Sequence, residues 1–467
     1  SSHSFRLARV ACSACHGGRE TKAALACSAA VDMLRTVGWL WLASLILGAT
    51  DLVEEYDARR PCLAQALGNS HFKVSRWRAI HASARVGSGG PPVMLAKRSW
   101  LSHALVHHIL RIVLEEIIGT PTQTVDVSSR PAREVFADLA CASGHSGSCR
   151  GAQSYYDIDV ETWHHGTSDH LELARRQLVV DAGELGYSGL KGLYAAPRTL
   201  VGTSPEGLDW YRSHLHVDVV KRFPPNGDAN VTALFEQAGS AAHWQRCDAA
   251  WNLAHTLPSG LNWCTSGRYI PPQCTSGAQC GEIYHPAGPG LGGWPFASTH
   301  SQGHLEQLVR NYMLQYAVAY VPDDDASLEA LRARMLQIGQ PILFYSIQPS
   351  PWPVRFNAMR VSFPRGSCAE LRSGVEHPEG NGTCDFPDQQ LRKMASGRLR
   401  NQAPLEFLVL HSMHIDPSDI GGMVAAHRLA NPAADLDALN VSCTWLEAHL
   451  EVVLSWLPHC RETEIFD

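Results

Sequence analysis

Three groupings in this chain could carry chemistry: histidines beside acids, clustered histidines, and a cysteine pair followed by histidine. Cys12-Ser13-Ala14-Cys15-His16 fits the C-x-x-C-H spacing of covalent haem attachment. His164, His165 and His170 lie close enough to suggest metal ligation, and His164/Asp169 and His414/Asp416 could act as base and orienting acid. None of these sits in a pattern that completes a reaction. No H-E-x-x-H, G-x-S-x-G or Walker loop occurs. With 24 histidines in the chain, neighbouring pairs arise readily by chance. Neither metal nor cofactor is expected, and a non-enzyme is the reading adopted, with a hydrolase as the lesser one.

The haem-like motif also lies upstream of an export signal. Met33-Leu34-Arg35-Thr36 is a basic start, Val37–Gly48 an apolar core, and Ala49-Thr50 a small-residue end. Residues 1–32 are therefore expected to be a spurious or disordered extension, and 33–50 a signal peptide. Of fourteen cysteines, three (Cys12, Cys15, Cys27) precede that signal's end and eleven follow. Ten of the eleven form near neighbours: Cys141/Cys149, Cys247/Cys264, Cys274/Cys280, Cys368/Cys384 and Cys443/Cys460, with Cys62 left over. Short closed loops on an exported chain predict disulfides, and no C-x-x-C pair remains for zinc. The sequons at Asn230, Asn381 and Asn440 agree with a secreted or cell-surface eukaryotic glycoprotein.

Composition narrows the class further. The chain has 467 residues, enough for two or three domains, with 45% hydrophobic and 18% charged residues. A formal net charge of −6 argues against nucleic acid as partner. No apolar run reaches the roughly 18–20 residues that span a membrane.

The elements that would position a site follow from patterning. Residues 51–92 read as a linker ending in Gly87-Ser88-Gly89-Gly90-Pro91-Pro92. Val93–Ala96 is a short apolar strand. Leu101, Leu105, Ile109, Ile112, Val113 and Ile117 mark an amphipathic helix with Ser99 as candidate N-cap and Gly119 as its end. Thr124–Val127 reads as the next strand, making a parallel unit. Tyr155–Gly166 contains a strand that ends on Trp163, and Gly189–Pro197 a crossover strand. A helical stretch leads to Trp251, and 258–304 reads as a disulfide-tied, Cys/Gly/Pro-rich insertion outside the core. Asp323-Asp324-Asp325 and Gly339 bracket a helix. Pro341–Ser346 is then a buried strand stopped by Pro349, Pro351 and Pro353, with Trp352 in an aromatic loop at its C-terminal end. In open α/β sheets that end is where ligands bind. A last helix spans about Trp445 to Trp456.

In this order the elements resemble the substrate-binding proteins of glycine betaine/proline betaine/choline ABC transporters. The patches that carry the likeness are the helix "SW…VLEEIIGT", then "YYDIDVETW", "CDAAW", "ARMLQIGQPILFYSIQPSPW" and the closing "WLEAHLEVVLSWL". They span about Val93 to Pro458. The resemblance implies an α/β, two-lobed type II periplasmic-binding-protein-like fold, each lobe a mixed sheet flanked by helices. Lobe one would be 93–193 plus 352–460, and lobe two 194–351. It also implies a box of aromatic faces for a quaternary ammonium group, which offers no N–H to bond and is held by ring quadrupoles instead. Matching positions are Trp100, Trp163, Tyr194, Trp251, Tyr345 and Trp352, with Glu161 or Asp159 as a possible added carboxylate. Ile347 departs from the pattern, standing where the family commonly has an aromatic.

The expected function is capture of a small cationic or zwitterionic solute for transport or sensing, with an ABC permease or membrane receptor as a possible further partner. A surface protein with a degenerate cleft is the alternative of a different class.

Overall fold

A computed structural model describes residues 61–70, 72–81, 91–128, 132–142, 156–163, 168–196, 207–223, 268–274, 280–287, 303–322, 325–365, 380–427 and 434–458. The signal segment, the haem-like motif, His164, His165, Trp251, Asn230, Cys149, Cys247, Cys264, Cys368 and Cys460 lie outside them.

Among the described residues, ten strands run in the order β2-β1-β3-β10-β4-β8-β6-β7-β5, with β9 also beside β4. The first half comprises β1 (Val93–Lys97), β2 (Thr122–Asp126) and β3 (Ile158–Thr162). β1 is parallel to both β2 and β3. The strand β4 (Val179–Ala196) is eighteen residues long and belongs to both halves. Its early residues, through Gly189, pair antiparallel with β10 (Gln389–Ser396), which in turn pairs with β3. From Leu190 to Ala196 it pairs instead with β8 (Ile342–Gln348). Register shifts on β10 and left-handed Gly183 and Gly186 on β4 accompany the change of partner, as bulges do where a strand must bend. The second half is completed by β5 (Arg268–Tyr269), β6 (Gly281–Ala287), β7 (Tyr316–Pro322) and β9 (Met359–Val361). The architecture is thus mixed α/β, a large mixed sheet flanked by helices, as expected.

Alternation along the strands builds a core on each face. Leu193 and Ala195 of β4 enter one apolar cluster, and Tyr194 and Ala196 enter another. In the first half Val93 and Leu95 face one cluster and Ala96 the other. The helix Leu101–Ile112 buries almost its whole length and continues into a wider turn, Val113–Ile118, closed by left-handed Gly119. Buried Lys393 of β10 donates to the carbonyls of His411 (3.0 Å) and Met413, satisfying the C-terminal end of the helix Pro404–Ser412.

Several expectations are corrected. Trp100, not Ser99, is the N-cap of the first long helix, and it makes no side-chain cap. The segment expected as linker carries the helices Ala64–Asn69 and Val74–His81. Leu63, Phe72 and Trp77 are core residues. The amides of Cys62 and Leu63 donate to the Glu116 carboxylate at 2.8 and 2.7 Å, and Arg78 donates to the carbonyls of Glu116 and Ile117 at 2.6 and 2.9 Å. Helix-end carbonyls need such donors, and an arginine from outside the helix supplies them.

Cys62 bonds to Cys443, so it is not left over and Cys443 does not pair with Cys460. Sequence nearness misled here, because docking of the early segment brings together cysteines 381 positions apart. The Cys274–Cys280 pair is present as expected. Cys141 and Cys384 are disulfide-bonded to partners outside the described residues.

The supposed insertion contributes β6, which lies between β8 and β7, with Ile283 and Tyr284 in the core. Its short apolar run is hidden among Gly, Pro and Cys. The segment after Trp352 stays with the second half through β9. Pro351 opens a short helix, Pro351–Arg355, rather than a loop, with Ser350 capping the Trp352 amide.

Candidate functional site

Trp100 and Trp163 emerge where adjacent parallel strands end, one just past β1 and the other just past β3. Carboxyl ends of neighbouring parallel strands converge on one crevice. Here they bring both indoles to one side chain, Glu161. Its Oε1 accepts from Trp100 Nε1 at 2.8 Å, Trp163 Nε1 at 2.9 Å and Ser102 Oγ at 3.0 Å. Its Oε2 accepts from Tyr187 Oη at 2.8 Å. Glu161 is 1% exposed, and a carboxylate so placed is tolerable only with such a full set of donors. Burial, then the Glu161 charge, pushes the Tyr187 phenol well above its ordinary pKa, which keeps it a donor.

A second buried acid supports the first. Asp159 pairs with Arg98 Nη2 at 3.0 Å and lies 3.3 Å from His103 Nε2. Burial works to raise its pKa, but the Arg98 charge and the His103 hydrogen bond outweigh that and bring it to about 2. Both acids, the candidates for an added ligand carboxylate, are thus engaged by the chain's own donors.

Each indole also carries a cation. Arg98 Cζ lies 5.5 Å from the Trp100 ring centroid, and Lys191 Nζ 5.9 Å from that of Trp163. Lys191 sits on β4 directly opposite Ile347 of β8, and Ile347 packs against the clusters of both halves. Two positions before Lys191, Gly189 lets Trp163 lie against the strand. A Cβ there would fall 2.1 Å from the indole Cζ3.

The remaining expected aromatics are elsewhere. Tyr194 and Trp352 share a core cluster with Phe344 and Phe356, which is not the cluster that holds Trp163. Their neighbours are rings of the chain itself, at 6.0 Å for Tyr194–Phe344 and 6.1 Å for Trp352–Phe356. Tyr345, fully buried, stacks on His285 at 4.5 Å and 1° between planes. All three are packing residues. The structure therefore unites Trp100 and Trp163 and sets Tyr194, Tyr345 and Trp352 apart. Ser102, Tyr187, Gly189 and Lys191 complete the site and were missed, since nothing local in the sequence marks their convergence. Only the G-L-K-G spacing of 189–192 hints at close approach to β4.

His414 lies 3.5 Å from Asp416, but they are 60% and 66% exposed, where water competes for both. His170 packs on the Phe136 ring at 4.7 Å. Among the described residues no three His, Cys, Asp or Glu side chains gather as metal ligands, and no helix is long and apolar enough to cross a membrane. Asn381 and Asn440 are exposed.

No family model matches the chain, and no curated protein matches it. Solved structures similar to it include lactococcal OpuAC in its closed form complexed with glycine betaine, at TM-score 0.43 and 10% identity over 79% of this chain and 100% of that one. Another is the glycine betaine/L-proline-binding protein ProX from Borrelia burgdorferi, at TM-score 0.42 and 13% identity over 80% and 98%. A third is an ABC-transporter choline-binding protein complexed with choline, at TM-score 0.42 and 11% identity over 78% and 92%.

Proposed function

We propose that this chain is an extracellular solute-binding protein whose Trp100–Trp163 site takes a small solute carrying a quaternary ammonium group. The observation that carries the reading is the sharing of one buried carboxylate by two indoles. Both N–H groups point inward to Glu161, and each indole already takes a cation of the chain, Arg98 on Trp100 and Lys191 on Trp163, within cation–π distance of its faces. Donation to an anion makes those faces more electron-rich, and a cation without N–H donors has little else to hold it. Delivery to a membrane permease or receptor would complete the role, since a binding site alone moves nothing across a membrane.

A tryptophan-fluorescence titration with glycine betaine tests this. A saturable change is expected, weakened several-fold to thirty-fold in Trp100→Ala, because a desolvated cation–π contact is worth roughly 0.5–2 kcal/mol and each ~1.4 kcal/mol is tenfold. Trp352→Phe, in a separate cluster, should leave affinity intact. Absence of any saturable change would overturn the reading.

A further inference from the structure

Two Asn-x-Ser/Thr sequons lie among the described residues, at Asn381 and Asn440, and the fold presents them in opposite ways. We propose that Asn381 is an N-glycan acceptor of the exported protein and that Asn440 is not; this rests on the extracellular location in the reading above, and on nothing at the Trp100–Trp163 site.

Around Asn381 the chain is an extended strap laid along the helix His304–Asn311. Asn311 Nδ2 donates to the carbonyls of Gly380 and Gly382 at 3.0 and 2.9 Å, and Gln307 Oε1 accepts from the Gly382 amide at 2.8 Å. Tyr312 Oη donates to the Thr383 carbonyl, and His304 Nε2 lies 3.0 Å from that of Cys384. Each of these bonds takes a main-chain group of the strap and leaves its side chains alone. The side chains alternate as in a strand: Asn381 and Thr383 are exposed, Gly382 and Cys384 buried. The inner side requires glycine at 382, since a Cβ there would fall 2.4 Å from Gln307 Oε1. The Asn381 amide and the Thr383 hydroxyl therefore stand together on the outward side.

That is what the transfer needs, because the enzyme must hold the hydroxyl while the amide reacts. Nδ2 attacks C1 of a lipid-pyrophosphate-linked oligosaccharide. The Nδ2–C1 bond forms as the C1–O bond breaks, one amide proton passes to a base of the transferase, and the lipid pyrophosphate leaves. The product is a bulky, solvated group that suits an exposed position.

Asn440 fails the same requirement. It lies within the helix Ala434–Ala448, where residues two apart point about 200° away from each other. Ser442 faces the core at 0% exposure, its Oγ 3.0 Å from the Leu105 carbonyl and 2.8 Å from that of Ala438. The next residue, Cys443, is bonded to Cys62. The hydroxyl is out of reach while this helix is docked.

The test is secretion of the full chain from a eukaryotic cell, enzymatic release of N-glycans in heavy-oxygen water, and peptide mass spectrometry. Release turns an occupied Asn into labelled Asp, so label is expected at Asn381 and not at Asn440. On gels, Asn381→Gln and Thr383→Ala should each lose the mass of one glycan relative to wild type, and Asn440→Gln should migrate as wild type does. Thr383→Ala keeps the acceptor and removes only an exposed hydroxyl, so loss of the glycan there reports recognition and not misfolding. Secreted protein with Asn381 unlabelled, or with Asn440 labelled, overturns the inference and leaves the solute-binding reading standing. A chain that stays in the cytosol without label overturns the extracellular location and this inference with it.

Discussion

Glu161 shows how burial changes the work of an acid. On a solvated strand end it would be available to a ligand; at 1% exposure, with four donors on two oxygens, it orients rings instead. His304 shows the same logic for a base. Its Nε2 lies 3.0 Å from the Cys384 carbonyl, and burial lowers its pKa to about 4, the Lys191 charge adding to the effect and the carbonyl opposing it. In the unfolded chain the imidazole titrates near 6.5. Between pH 6.5 and 4 the unfolded state therefore binds a proton that the folded state refuses, and stability falls as pH falls through that window. Above pH 6.5 the contribution is flat. The loss between pH 7 and 5 is roughly 2 kcal/mol for this one group. His304→Gln, which keeps a donor for the Cys384 carbonyl, should lose about that much less than wild type in urea unfolding at the two pH values. Equal losses would show that His304 is not neutral in the folded protein.

At the scale of elements, the close contact of Trp163 with β4 is the most sensitive joint. Gly189 has ordinary strand geometry, so its role is space and not an unusual backbone angle. Gly189→Ala places a methyl where the indole lies, and overpacking of this kind costs roughly 1–3 kcal/mol. The indole must then turn, and its hydrogen bond to Glu161 must lengthen or break. Thermal denaturation should show a modest loss, and glycine betaine binding should fall much more than stability does. A variant that binds as well as wild type would mean that Trp163 has another seat equally good.

The same joint explains what the sequence disclosed and what it hid. β1, the first long helix, β3 and β8 were legible because each carries its own periodicity, caps or breakers. So were Trp100 and Trp163, which close strands whose pattern is plain. β6 was hidden in a run of Gly, Pro and Cys, and the Cys62–Cys443 bond joined residues with no local relation. Tyr187 and Lys191 were illegible for a related reason. Bulges at Gly183 and Gly186 set which β4 side chains meet β3, and bulge positions do not show in alternation. Tyr194, Tyr345 and Trp352 fit an aromatic pattern equally well as ligands or as packing, and only burial among other rings distinguishes the two.

For the molecule as a whole, the decisive feature is that its two sheet halves share one long strand. β4 exchanges β10 for β8 between Gly189 and Leu190, and the chain returns from the second half to β10 between Phe386 and Gln389. The boundary expected from sequence at 193/194 lies a few residues beyond this exchange, which is marked by the pairing of Leu190 with Gln348, and the second crossing lies well past the expected 351/352. Arg360 bridges the two crossing segments, donating to the Lys191 carbonyl and, at 3.2 Å, to that of Phe386 while paired with Asp385. Two adjacent crossings with packed cores on either side are the kind of joint about which halves hinge, and rotation of one half against the other is the predicted motion. The proposed solute site lies beside this joint, since Trp163 follows β3 of the first half and Lys191 is the second residue of β4 to pair with β8. Binding at Trp163 would therefore bear on a contact, Trp163 with Lys191, that spans the joint. Small-angle scattering at saturating glycine betaine should give a smaller radius of gyration than the free protein, and Arg360→Ala, which releases the bridge, should give a larger one without ligand. Profiles that superimpose with ligand demonstrably bound would show that the halves are rigidly coupled and that recognition occurs within a fixed cleft.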